Sequence, residues 1–295
     1  MLKMFASVMM MTIAASVMRV EGFTLAEILR STTAYSLFQD AGLTDLLTED
    51  GPVSLFLPTD TVLYGYLLRH GSSFSQLRQN KEELRALLQY HVVSGMYAPS
   101  DLYNEQKLQA VNGGTIRVNT YGTNRITTQG VELQLRNYTT SNGIVYFLDG
   151  VMEPANGTVA DIIASQSDLS TLLAAAKAAG LVDFLADQNP ITVFAPTDAA
   201  FSALGDTVQT LLSKPDLLAQ ILYYHVVPGT LYKAGLHESY LHTFREADRL
   251  HITSHFGVAI ENGYILPDGE DMSAVNGVVH KMDHVLIPNS LKSQI

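Results

Sequence analysis

The sequence predicts two copies of one domain that mixes helices with antiparallel strands. Three observations carry this. First, the blocks Phe56-Leu57-Pro58-Thr59-Asp60, Tyr90-His91-Val92-Val93-Ser94-Gly95 and Asn142-Gly143-Ile144-Val145 return in the same order. They reappear as Phe194-Ala195-Pro196-Thr197-Asp198, Tyr224-His225-Val226-Val227-Pro228-Gly229 and Asn276-Gly277-Val278-Val279. The offset is 138 positions for the first block and 134 for the others, which is the size of a domain rather than of a solenoid unit. Second, each copy has a helix-periodic stretch before its Tyr-His pair. Third, each copy ends in short alternating runs that read as strands.

The elements follow in order. Thr24 caps a short helix carrying Leu25, Ile28 and Leu29, and a second helix over 33–41 ends at Gly42, a residue suited to the left-handed C-terminal position. Val53 to Leu57 is a buried strand that Pro58 stops, and Thr59 or Asp60 caps the next helix. Asn80 with Glu83 forms an N-terminal capping pattern, after which Leu84, Leu87, Leu88 and His91 share one helix face. Leu218, Ile221, Leu222 and His225 repeat that face. Leu108 to Met152 breaks into short strands such as 131–135. In the second copy Leu169, Leu172, Leu173 and Ala176 line a helix that Gly180 ends, and 250–285 is strand-rich again.

The expected boundaries are a leader over 1–22, a first domain over 23–153, a linker over 154–157, a second domain over 158–288 and a polar tail over 289–295. The leader reading rests on Lys3, the apolar run Met4 to Val17, too short to span a bilayer, and the small residues Ala14-Ala15-Ser16. Cleavage is expected after Ser16 or near Gly22, and removal of 1–22 takes the net charge from −11 to −12. No apolar tail follows Pro288, so a C-terminal lipid anchor is not expected. Four linker residues reach about 14 Å at most, which restricts the expected orientation of the copies.

Eighteen scattered basic residues against 29 acidic ones argue against nucleic-acid binding. The absence of Cys removes redox chemistry and thiolate metal sites. Two sequons, at Asn137 and Asn156, fit an extracellular glycoprotein.

These blocks resemble the fasciclin domain family. Its first signature, Phe-x-Pro-Thr-Asp followed by an aromatic, stands here as Phe194 to Asp198 with Phe201; the first copy has Leu57 for the small residue and Tyr64 near the aromatic position. The Tyr-His-Val-Val-x-Gly segment is its second signature. Its closing signature runs from Asn276 to Pro288, and from Asn142 to Pro154 in the first copy. The resemblance implies an α+β fold, with each domain a wedge of small orthogonal sheets packed with several helices. It also implies an extracellular adhesion or matrix function and no enzyme activity; no cofactor or metal is expected.

In animal members a Tyr-His pair flanked by aliphatic residues is associated with integrin binding. Tyr90, His91, Tyr224 and His225 are therefore the candidate adhesion residues. Both His residues lie on apolar helix faces, so they are read as buried hydrogen-bonders, with the Tyr rings accessible at the helix edge or reached by local opening. Pro58, Thr59, Asp60 and Pro196, Thr197, Asp198 are read as structural, with Asp60 and Asp198 as helix caps. Ser94 becomes Pro228 in the second copy, so no shared nucleophile supports catalysis. His280 with His284, and His251 with His255, are four apart, but in strands that spacing separates them by about 13 Å, too far for one metal. Asp268-Gly269-Glu270-Asp271 is read as a hairpin turn.

The leading expectation is a secreted adhesion protein that binds a cell-surface receptor such as an integrin, or a matrix polymer such as collagen. Two linked weak sites would then gain from a local concentration in roughly the millimolar range. A structural or mineral-associated matrix protein without a dedicated receptor, drawing on the diffuse acidity, is the alternative.

Overall fold

The computed structural model describes residues 17–19, 22–48, 51–122, 125–254 and 257–295. The leader expected over 1–22 lies outside the described residues except for Val17–Arg19 and Gly22, and so does His255. Cleavage after Ser16 would keep the strand Val17–Arg19, whereas cleavage near Gly22 would remove it.

The first repeat contains, in chain order, β1 (Val17–Arg19), α1 (Leu25–Leu29), α2 (Thr33–Asp40), α3 (Asp45–Thr48), β2 (Val53–Pro58), α4 (Asp60–Arg69), α5 (Phe74–Gln79), α6 (Lys81–Tyr90), β3 (Val92–Ser94), β4 (Gln106–Gln109), β5 (Thr115–Tyr121), β6 (Arg125–Thr128), β7 (Val131–Thr139) and β8 (Gly143–Leu148). The second contains α7 (Val159–Ser165), α8 (Ser170–Ala178), α9 (Val182–Asp187), β9 (Ile191–Pro196), α10 (Asp198–Ser202), α11 (Thr207–Leu212), α12 (Pro215–Tyr224), β10 (Val226–Pro228), β11 (Ser239–His242), β12 (Arg249–Thr253), β13 (Ala259–Ile260), β14 (Gly263–Tyr264), β15 (Met272–Ala274) and β16 (Gly277–Met282). Helices and sheets therefore mix in each repeat, as an α+β chain requires.

The chain forms two compact units that do not follow the repeats. The first comprises Met1–Asp101, Gln109–Gly113 and Leu133–Val151; the second comprises Leu102–Leu108, Gly114–Glu132 and Met152–Ile295.

In the first unit, β2 is central. It pairs in parallel with β8, Val53 against Gly143 through Pro58 against Leu148, and antiparallel with β3. β7 adds to β8 antiparallel and carries a register shift between Leu133 and Asn137. Because β2 is covered on both faces, it is apolar nearly throughout rather than alternating. Leu55 and Leu57 face the helices, with Leu29, Phe38, Leu84 and Leu88. Phe56 faces the other way and stacks on Tyr146, ring centroids 5.3 Å apart.

The second unit repeats this logic. β9 pairs in parallel with β16 and antiparallel with β10, and β15 closes the sheet beyond β16. Val193 and Ala195 face the helical core with Leu172, Leu218 and Ile221. Phe194 and Met282 face Leu250, Ile252 and Ile260 of the smaller sheet ordered β11-β12-β13-β14. The β5–β6 hairpin, Val118 opposite Thr128, also belongs to this unit.

Asp268–Asp271 is a turn, but not the tip of a hairpin. The two-residue hairpin connection is Val275-Asn276, between the paired residues Ala274 and Gly277. Asp268–Asp271 is instead an excursion beside β16, where Lys281 N donates to the Gly269 carbonyl at 2.8 Å.

Candidate adhesion site

His225 sits at the C-terminal end of α12, where the helix leaves carbonyls without helical partners. Its Nδ1 donates to the Ile221 carbonyl at 2.8 Å, and its Nε2 accepts from Leu286 N at 2.9 Å. Its own carbonyl accepts from Phe194 N at 3.0 Å. One residue thus joins the three recurring motifs: the Tyr-His helix end, the strand before Pro-Thr-Asp and the closing segment after Asn-Gly. His91 is placed alike at the end of α6, with Nδ1 donating to the Leu87 carbonyl at 2.8 Å and its carbonyl accepting from Phe56 N at 2.9 Å.

These bonds suit a neutral imidazole. Burial lowers the pKa of both His91 and His225 from 6.5 to about 4, against the helix carbonyls at Leu87 and Ile221, which favour the proton. Burial likewise lowers that of His280. The unfolded chain therefore takes up protons below pH 6.5 that the folded chain refuses until about pH 4. Stability falls as pH drops through that window, by about 3 kcal/mol for each of the two capping His residues. Denaturant unfolding at pH 7, 5.5 and 4 checks this, and His91→Gln with His225→Gln is expected to flatten the profile. An equally steep loss in the double variant would assign it to other groups.

The Tyr partners are not accessible. Tyr90 is 2% exposed and Tyr224 is 4% exposed. The Tyr224 hydroxyl lies against the Arg249 carbonyl at 3.2 Å and the Glu261 carboxylate at 3.1 Å. Burial, then the negative Glu261, raise its pKa well above the ordinary phenol value. The expected Tyr edge is thus corrected: the last helical residue turns its ring inward, just ahead of the capping His and the buried strand that follows it. All four candidate residues are interior, and only local opening would bring them to a partner.

The Pro-Thr-Asp segments are structural, with a correction of roles. Thr59 and Thr197, not the Asp residues, cap α4 and α10, accepting from Val62 N and Ala200 N. Asp60 accepts from the Thr33 hydroxyl at the start of α2. Asp198 accepts from Ser170 Oγ and Thr171 N, both at 2.7 Å, at the start of α8. Burial opposes ionisation of Asp198 and is the largest single influence, but the hydrogen bonds from Thr171 and Ser170 together outweigh it and lower its pKa. Each Asp therefore ties the start of an earlier helix to the helix it begins. Pro58 and Pro196 end β2 and β9 as expected.

The closing Asn residues do similar work. Asn276 Oδ1 accepts from Val159 N at 2.8 Å, and its amide donates to the carbonyls of Leu185, Ala186 and Gln188. Asn142 accepts from Leu25 N and donates to the Leu47 carbonyl.

The two sequons part company. Asn137 opposes Tyr146 across β7 and β8, so strand alternation turns it to the same inner face, where it is 3% exposed. A glycan on Asn137 is incompatible with this fold, which corrects the expectation for that position. Asn156 is exposed, and the following Thr158 caps α7.

Among the described residues no group of three or more His, Asp or Glu is placed to hold a metal ion. His280 is buried, with Nε2 donating to the Leu231 carbonyl, whereas His284 lies at the surface.

What sequence reasoning missed is on α4. At the offset of this block the counterpart of Phe201 is Leu63, not Tyr64; both are buried, and Tyr64 turns outward. Tyr64 and Leu68, one helical turn apart, are 53% and 56% exposed, and Phe74 stacks on Tyr64. The signal was present. Val62, Leu63, Tyr64, Tyr66, Leu67 and Leu68 are more large apolar residues than one face of a ten-residue helix can bury.

A family model for the fasciclin domain matches residues 29–154 and again 167–288. Transforming growth factor-beta-induced protein ig-h3 of Sus scrofa is 30% identical over 274 residues, covering 92% of this chain and 38% of that protein. Human periostin is 23% identical over 262 residues, covering 88% of this chain and 30% of its own length. The chain thus spans under two-fifths of either relative. A solved domain pair of the insect cell adhesion molecule fasciclin I aligns over 87% of this chain and 96% of that one, at 16% identity and a TM-score of 0.43. With both repeats matched, the chain belongs to the fasciclin domain family, as a tandem pair.

Proposed function

We propose that this chain is a secreted adhesion protein of the extracellular matrix, not an enzyme, that binds a cell-surface receptor such as an integrin or a matrix polymer such as collagen. Family membership supports the class, and the exposed sequon at Asn156 fits an extracellular chain. No helix among the described residues is long and apolar enough to cross a membrane. The observation that carries the contact is the outward pair Tyr64 and Leu68 with Phe74 beside it. An exposed Tyr set among apolar neighbours is a common anchor of protein interfaces. The counterpart of Tyr64 in the second repeat is Ser202, so this patch occurs once and does not supply a doubled site.

The test is cell attachment to the immobilised full chain. Tyr64→Ser with Leu68→Ser is expected to weaken attachment about tenfold without lowering the unfolding midpoint. Tyr90→Phe with Tyr224→Phe is expected to leave attachment intact. The opposite pattern would return recognition to the Tyr-His helices. A mineral-associated matrix role rests on the charge of −11 alone, and binding to calcium phosphate without cell attachment would favour it.

A further inference from the structure

We propose that Asn156 is a site of spontaneous deamidation, singled out by the fold from five Asn-Gly pairs. The pairs begin at Asn112, Asn142, Asn156, Asn262 and Asn276. In such a pair the backbone nitrogen of Gly can bond to the side-chain carbon Cγ of Asn, because no Cβ on the Gly stands in the way. The nitrogen gives its proton to water, the Cγ–Nδ2 bond breaks and ammonia leaves. Water then opens the resulting succinimide to an aspartate or an isoaspartate. The reaction needs no partner but water. It does need an Asn side chain free to swing and a Gly N–H open to solvent.

Four of the pairs lack one or both. Asn142 and Asn276 are 6% and 5% exposed, and Gly143 and Gly277 lie in β8 and β16. The Asn142 amide is held by the Leu47 carbonyl, and that of Asn276 by the carbonyls of Leu185, Ala186 and Gln188. Gly113 N donates to the Ala110 carbonyl at 2.8 Å. Gly263 is buried in β14, opposite Ile260. Asn156 is exposed, and among the described residues neither its amide nor Gly157 N has a hydrogen-bond partner. The fold also keeps Gly at 157. Its φ is +76°, and a Cβ there would lie 2.8 Å from the Asp161 Cβ, beside the capping box that Thr158 and Asp161 form at the start of α7. Each event adds one negative charge and destroys the sequon. The isoaspartate also inserts one carbon into the backbone ahead of Gly157, whose carbonyl accepts from Val275 N at 2.9 Å.

Peptide mapping by mass spectrometry tests this on the full chain, made without glycosylation and held for weeks at physiological temperature and pH. Deamidation at Asn156 is expected to run at least fivefold faster than at each of the other four pairs. In the urea-unfolded chain the five rates are expected to converge, since only the dipeptide then matters. Asn156→Gln is expected to remove most of the ammonia released by the folded chain while leaving the unfolding midpoint unchanged. Three results would each overturn the proposal. They are no deamidation at Asn156 over weeks, deamidation at any other pair as fast as at Asn156 in the folded chain, and the same preference for Asn156 after unfolding.

Discussion

Gly277→Ala is expected to destabilise the second unit by at least about 3 kcal/mol, among the largest effects a single methyl group can have. β16 runs parallel to β9 with Gly277 opposite Ile191, and a Cβ at Gly277 would lie 1.9 Å from the Ile191 carbonyl oxygen. The obstacle is backbone, which cannot rotate away as a side chain can. Relief would have to come from moving the strand pair, and β9 and β16 are buried along their whole length. Asn276, one residue earlier, fixes the same point through four hydrogen bonds, so the chain cannot slide past it. Gly143→Ala makes the companion test, since its Cβ would meet the Val53 carbonyl oxygen at 2.4 Å. Denaturant unfolding of each variant, compared with Gly113→Ala, where no atom lies within 4 Å but the backbone φ of +85° imposes its own strain, separates contact from conformation. A loss at Gly277 no greater than at Gly113 would show that the strands yield.

Arg117→Met is expected to cost about 3 kcal/mol in the second unit, for a different reason. Arg117 is 4% exposed, and its guanidinium donates to Glu105 at 2.7 Å, to Thr230 Oγ1 at 3.0 Å and to the Val275 carbonyl at 2.9 Å. Glu105 also accepts from Thr230 N at 2.7 Å and from Asn119 at 3.0 Å. Removing the cation leaves a half-sequestered carboxylate without its charge partner, and this desolvated charge is the source of the loss. Arg117→Met with Glu105→Gln is therefore expected to be less destabilised than Arg117→Met alone. If the double variant instead lost the sum of the two single effects, the pair would not be coupled.

These two sites differ in how far the sequence foretold them. Asn276-Gly277 stood out as a repeated motif, and repetition of Gly directly after Asn in both copies is what a tight strand crossing with a fixed loop demands. The same holds for the helix faces ending in His91 and His225, where a titratable group in an apolar stripe could only be satisfied from inside. Thr59 against Asp60 was ambiguous because either side chain can cap a helix; the choice turned on Thr33 and Ser170, about 27 residues earlier in the chain.

Nothing in the local sequence marks Arg117 as buried, since a lone Arg in an alternating strand reads as solvent-facing. Its burial follows from Glu105, Thr230 and Val275 being brought together within one unit, which no periodicity encodes. The direction of Tyr90 and Tyr224, and of Asn137 within its sequon, was fixed in the same way.

The duplication, the mixed helical and stranded character and the interior role of the repeated motifs are legible along the chain, because those depend on spacing and side-chain chemistry over a few residues. The outward turn of Tyr64 and Leu68 and the openness of the Asn156 sequon emerge only once the chain is folded. Exposure is a property of the elements packed opposite a residue, and those lie far away in the chain.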